Sequence, residues 1–132
     1  MNENYIRVAV VDDDESFARA IGRLLRAAGF EVFVYSAGES FLHEFTCRSF
    51  DCLVLDIQLG GMSGLDLGRR LVESGSKIPF IFVTALEEAG PGQTARQIGC
   101  SAYFPKPVSG RLLVAAIRRA VDSCSKMTRK PQ

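Results

Sequence analysis

The sequence predicts an α/β fold: a doubly wound, five-stranded parallel sheet built from (βα)5 units. Four observations carry that prediction. Short apolar, often β-branched runs alternate five times with segments of helical apolar spacing. The connections are short, which implies right-handed crossovers and helices on both faces of the sheet. The run Cys52-Leu53-Val54-Leu55 lacks the in–out alternation of a half-exposed strand, as expected where both faces are covered. Finally, several strands lead into polar side chains at their C-terminal ends, the edge where such folds keep their chemistry.

The elements follow in order. Ile6-Arg7-Val8-Ala9-Val10-Val11 reads as the first strand and ends in Asp12-Asp13-Asp14. Asp14 is the expected N-cap of a helix with Glu15 in its first turn. Phe17, Ile21, Leu24, Leu25 and Ala28 form its apolar stripe, Gly29 its stop, and Arg19, Arg23 and Arg26 its outward face. Glu31-Val32-Phe33-Val34-Tyr35 is the second strand. Ser36 and Glu39 have capping-box spacing, predicting a helix with Phe41, Leu42 and Phe45. The third strand covers residues 52–56. Ser63 and Asp66 open the next helix, with Leu67, Leu71 and Val72 inward and Gly75 as the stop.

Residues 79–84 form the fourth strand. Residues 85–92 are expected to be a loop, because Gly90-Pro91-Gly92 is a poor helical signal, followed by a short helix over 91–98. Ala102-Tyr103-Phe104 is a short fifth strand cut off by Pro105, and Lys106-Pro107 follows. Ser109 caps a last helix with Leu112, Leu113, Ala116, Ile117, Ala120 and Val121 on one stripe. The domain is expected over 5–123, with 124–132 as a polar, mildly basic tail or linker stub.

A length of 132 residues fits one domain, and 47% hydrophobic content supports a packed core. The net charge of +1 gives no general attraction to nucleic acid or to anionic membranes. No apolar run reaches the roughly 18 residues of a membrane span. Met1-Asn2-Glu3-Asn4 does not open a signal peptide, so a cytoplasmic location is expected. Cys47, Cys52, Cys100 and Cys124 form no CxxC pair, and His43 is the only histidine, which speaks against zinc and for reduced thiols.

The chemistry converges on Asp56. In a parallel sheet the strand ends share one edge, so Asp12 and Asp13, Asp56, Thr84 and Lys106 are brought together. Packed carboxylates repel unless a cation intervenes. Hard oxygen ligands with room for water suit Mg²⁺. A carboxylate beside Mg²⁺, an ammonium and a hydroxyl is a good phosphoryl acceptor, and Ala85 leaves space for the bound group.

These motifs resemble a known family. Val10-Val11-Asp12-Asp13-Asp14-Glu15, Val54-Leu55-Asp56 with Met62-Ser63-Gly64, Val83-Thr84-Ala85 and Lys106-Pro107 together resemble the receiver domain of two-component response regulators, the flavodoxin/CheY-like fold. The likeness spans about residues 7–121, and the wording is closest to FixJ-type receivers. The resemblance implies that Asp56 accepts a phosphoryl group from a sensor histidine kinase or a histidine phosphotransfer protein. It implies Mg²⁺ held by Asp13, Asp56 and the backbone carbonyl of Gln58, with Asp12 acting mainly through water. Lys106 pairs with the phosphoryl group, and its bond to Pro107 is cis. Thr84 swings to the phosphoryl group and Tyr103 rotates behind it, reshaping the surface of the fourth helix, fifth strand and fifth helix. Such a domain is a switch rather than an enzyme, at most assisting its own phosphorylation and dephosphorylation. It acts as a monomer or a phosphorylation-dependent dimer, on a downstream protein or an output segment outside this sequence. The arginine face of the first helix is a candidate kinase contact.

Some positions depart from the pattern. Leu59-Gly60 stands where methionine-proline is usual, which predicts a more flexible loop. Gly90-Pro91-Gly92 falls where the fourth helix usually begins, which predicts a shortened switch surface. Leu86, two residues after Thr84, is expected to slow phosphoryl loss. Two other readings compete. A phosphorylation-independent binding module on the same fold draws on Gly90-Pro91-Gly92. A haloacid-dehalogenase-like phosphatase draws on Asp12-x-Asp14-x-Ser16, but it would leave Asp56 idle and lacks a late acidic pair.

Overall fold

The computed structural model describes residues 5–85 and 89–128, with side chains described over 5–85 and 92–124. The elements are β1 (Arg7–Val11), α1 (Glu15–Ala27), β2 (Glu31–Tyr35), α2 (Gly38–Phe45), β3 (Cys52–Leu55), α3 (Gly64–Glu73), β4 (Phe80–Thr84), α4 (Ala89–Ile98), β5 (Ala102–Pro105) and α5 (Gly110–Thr128). All strand pairings are parallel, in the order β2-β1-β3-β4-β5. The predicted sheet is therefore present.

The pleat divides the core into two layers. Val8 and Val10 of β1 face one layer, with Val54, Val83 and the inner faces of α1 and α5. Ala9 and Val11 face the other, with Leu53, Leu55, Phe82 and residues of α2, α3 and α4. All four residues of β3 are buried, as its missing alternation required. Asp14 Oδ1 accepts from the Phe17 N–H at 3.1 Å, Ser63 Oγ from the Asp66 N–H at 3.1 Å and Ser109 Oγ from the Leu112 N–H at 3.4 Å, so three of the predicted caps form. Gly29 and Gly75 end their helices at φ of 99° and 87°.

Several local expectations are corrected. The Ser36–Glu39 capping box does not form. α2 begins at Gly38 behind Ala37, which supplies no side-chain cap, and Glu39 Oε2 accepts from the Met62 N–H at 3.3 Å instead. A contact to another loop thus takes the carboxylate that the cap required. Val72 and Leu112 were expected inward but are 46% and 58% exposed, each lying at the rim of its stripe. α4 covers Ala89–Ile98, so the helix expected over 91–98 is present but begins two residues earlier, inside the stretch expected to be loop. Pro91 is tolerated because the first turn has no intrahelical use for its missing N–H. β5 includes Pro105, opposite Thr84 on an edge strand, where a lost donor costs least. α5 continues past Ser123 to Thr128. Leu86 lies outside the described residues.

The four cysteines are free. Burial pushes the Cys52 thiol up to about 12, so it behaves as a small hydrophobe.

Candidate functional site

β1 and β3 pair with Val11 opposite Leu55, so Asp12 and Asp56 leave the sheet side by side. The Asp56 N–H donates to the Val11 carbonyl at 3.0 Å, extending the ladder one step beyond the strands. Here the chain connections diverge, β1 toward β2 and β3 toward β4, which opens a crevice at the strand ends. Asp12, Asp13 and Asp56 each place a carboxylate oxygen within 4.8 Å of the others. Asp12 and Asp56 are 3% and 5% exposed, while Asp13 faces solvent.

Lys106 reaches this cluster from the far side of the sheet. Its Nζ lies 2.9 Å from Asp12 Oδ2 and 3.2 Å from Asp56 Oδ2. The position is set by the backbone: the Lys106 N–H donates to the Thr84 carbonyl at 2.8 Å, and Lys106–Pro107 is cis, as the resemblance implied. Three carboxylates against one ammonium leave a surplus of negative charge among these side chains. Backbone donors take part of the load. The Asp14 N–H binds Asp12 Oδ1 at 2.9 Å, the Gln58 N–H binds Asp56 Oδ1 at 3.2 Å, and the Gly60 N–H binds Asp13 Oδ2 at 3.2 Å.

Burial pushes the Asp12 carboxyl above the ordinary carboxylate range, and the charge of Asp56 adds to it; the Asp14 N–H and Lys106 oppose. Burial alone would pull Lys106 down, but its bond to Asp12 and the charges of Asp12 and Asp56 outweigh that and raise it. A simple ion pair would lower its acid and raise its base. Asp12 departs from that rule because it is deeply buried and faces a second carboxylate.

Thr84, the last residue of β4, is fully buried. Tyr103 is half-buried on β5, opposite Phe82, and packs with the layer that contains α4. A Cβ added at Gly92 would come within 3.8 Å of its ring, which places Tyr103 at the seam between α4 and β5. Burial pushes its phenol up. Asp12, Asp13, Asp56 and Lys106 are thus brought together, Thr84 and Gln58 border them, and Tyr103 stands apart at the seam.

Three residues of the site escaped the sequence reading. Phe17, taken only as part of a core stripe, lays its ring under the ammonium of Lys106, with Nζ 4.1 Å from the ring centroid. Its place one turn after the acidic run was the available signal. Gly60 ties the loop after Asp56 to Asp13, so the loop expected to be looser carries a cross-link that proline could not make. Gly64 lies so close to the Asp56 carbonyl that a Cβ there would collide with backbone. Only the tertiary structure reveals that approach.

The chain matches the model of the response regulator receiver domain over residues 8–118. The chain belongs to the response regulator receiver domain family. It is similar to the response regulator protein TmoT of Ectopseudomonas mendocina, 34% identical over 121 residues that cover 92% of this chain and 55% of that protein. It is similar to the sensory transduction protein RegX3 of Mycobacterium tuberculosis, 38% identical over 125 residues that cover 92% of this chain and 55% of that one. The chain therefore spans about half the length of these curated relatives. Among solved structures it resembles a CheY-like receiver domain protein from Methanospirillum hungatei JF-1, with a TM-score of 0.88 at 25% identity, covering 94% of this chain and 99% of that one. The matches place the chain among the receiver domains of two-component signalling; the finer likeness to FixJ-type receivers rests on wording alone. Receiver domains bind Mg²⁺ through an acidic pocket, and the three converging carboxylates, hard oxygen donors with surplus negative charge, fit such an ion.

Proposed function

We propose that this receiver domain is a phosphorylation-activated switch in which Asp56 accepts a phosphoryl group from a sensor histidine kinase or histidine phosphotransfer protein. One observation carries the reading: the Lys106 ammonium bridges Asp12 and Asp56, drawn from three separate strand ends. One oxygen of the Asp56 carboxylate attacks phosphorus, and the donor nitrogen leaves with the bonding pair. Lys106, already 3.2 Å from Asp56 Oδ2, moves its pairing to the incoming phosphoryl oxygens. The Thr84 hydroxyl, at the adjacent strand end, bonds a further oxygen. Asp13, Asp56 and the Gln58 carbonyl would hold Mg²⁺, with Asp12 acting through water; when bound, the ion neutralises charge on the transferring group. Occupation of Thr84 draws Tyr103 inward at the α4–β5 seam and alters the α4–β5–α5 surface presented to a target or output segment. The domain is a switch rather than an enzyme, acting as a monomer or as a phosphorylation-dependent dimer. No helix among the described residues is long and apolar enough to cross a membrane.

The competing readings lose support. The binding-module reading drew on Gly90-Pro91-Gly92, which lies within α4. The phosphatase reading needs Asp14 as an acid/base, but its Oδ1 is engaged in capping α1. The test is incubation with acetyl phosphate and Mg²⁺ followed by intact mass. A gain of one phosphoryl group that is absent in Asp56→Asn supports the switch. No gain in the wild-type chain refutes it.

A further inference from the structure

We infer that Phe17 is a positioning residue for phosphoryl transfer, holding the Lys106 ammonium over Asp56 through the face of its ring. The inference rests on the functional reading above and adds a residue to it. Lys106 Nζ lies 2.9 Å from Asp12 Oδ2, 3.2 Å from Asp56 Oδ2 and 4.1 Å from the Phe17 ring centroid. The two carboxylates pull the ammonium toward the sheet, and the ring supports it from α1.

That third contact has a distinct physical role. An aromatic face attracts a cation electrostatically while shielding it from water. The carboxylates Asp12 and Asp56 and the Lys106 side chain are all shielded, with side-chain exposures of 2%, 7% and 14%. An aliphatic residue at position 17 would fill similar space without attracting the charge. Phe17 is also anchored by its backbone, since its N–H caps onto Asp14 Oδ1 in the same acidic run. The backbone of Phe17 is therefore tied to the same acidic run that carries Asp12 and Asp13. During transfer from acetyl phosphate, an Asp56 oxygen–phosphorus bond forms, the phosphorus–oxygen bond to the acetyl group breaks, and acetate leaves with the electron pair. No redox change occurs. Lys106 must meet the phosphoryl oxygens as that exchange proceeds, and the ring limits its excursion into solvent.

The test compares Phe17→Leu and Phe17→Tyr with wild type, with Phe17→Met as a second apolar variant should Phe17→Leu fold poorly. Two readouts are taken: the rate of phosphoryl uptake from acetyl phosphate with Mg²⁺, by intact mass, and the NMR shift of the Lys106 ε-methylene protons in the metal-free chain. The expected result is an upfield ring-current shift in wild type and Phe17→Tyr that is lost in the apolar variants, together with a twofold to fivefold slower uptake, on the order of a half-buried cation–π contact. Phe17→Tyr restores the rate. Unchanged uptake in a folded apolar variant overturns the inference, as does a wild-type Lys106 with no ring-current shift. Failure of the functional reading looks different: the wild-type chain then takes up no phosphoryl group at all.

Discussion

Two polar clusters of this molecule are built on opposite principles. Between β2 and the C-terminal end of α2 with the turn after it, the Tyr35 hydroxyl donates to Glu44 Oε1 at 2.7 Å, Arg48 Nε donates to the same oxygen at 3.0 Å, and the Arg48 guanidinium lies 4.4 Å from the Phe33 centroid. One acid, one base and one phenol balance, within a span of 14 residues. At the C-terminal edge, Asp12, Asp13 and Asp56 share a single Lys106, and residues 50 apart in sequence must meet. The first cluster is electrically closed and fastens an edge strand to its helix. The second is left unbalanced, which disposes it to take up a cation. A satisfied cluster stabilises, whereas a cluster with surplus charge is a site.

The largest effect that would sharpen this contrast lies at Gly64. A Cβ there collides with the Asp56 carbonyl, so Gly64→Ala should shift Asp56 and cut phosphoryl uptake about a hundredfold, the cost of an ångström-scale displacement. Uptake equal to wild type would show that the site tolerates movement. In the closed cluster, Tyr35→Phe should destabilise the fold by about 1 kcal/mol by removing a charge-assisted hydrogen bond, with phosphoryl uptake unchanged. Urea unfolding measures the first and intact mass the second.

The two clusters should also oppose each other in pH. Asp12 sits above its ordinary value of 3.8 in the folded chain, first through burial. It therefore contributes stability that is lost as pH rises from there through its folded value. Glu44 sits below its ordinary value of 4.5, first through the Tyr35 bond and then through Arg48. Its contribution is present above that value and lost as pH falls through the folded one. Asp12→Asn should make unfolding free energy climb more steeply with pH above 4, and Glu44→Gln less steeply below it; urea midpoints between pH 3 and 7 decide. If the two variants change the slope in the same sense, the contrast fails. The smallest effect is at Arg48. Arg48→Gln should lower the urea midpoint only slightly, as loss of an exposed i,i+4 pair does, and the loss should shrink in high salt.

Legibility from sequence followed the range of the interaction. The caps at Asp14 and Ser63 depend on neighbours three residues away, and the burial of β3 is marked by its own unbroken apolar run, so they were readable. The Ser36–Glu39 cap was misread because Glu39 had a better partner in the loop at Met62, which no local pattern announces. The start of α4 was placed two residues late because glycine and proline lower local helix propensity, while Ala95 and Ile98 pack with α3 and β4 residues in the layer they share. Gly60 was read as a loosened loop, yet its free N–H is what reaches Asp13.

The order of strands and helices, the covered faces of the sheet and the candidate set Asp12, Asp13, Asp56, Thr84 and Lys106 were determined by sequence alone, because periodicity and strand ends are local properties of the chain. Which of those groups touch was decided by tertiary structure: β1 beside β3, Lys106 carried across to Asp12 and Asp56, Phe17 beneath the ammonium, Gly64 against the Asp56 carbonyl. Contact between distant residues depends on register and on the approach of separate layers, and neither is encoded at any single position.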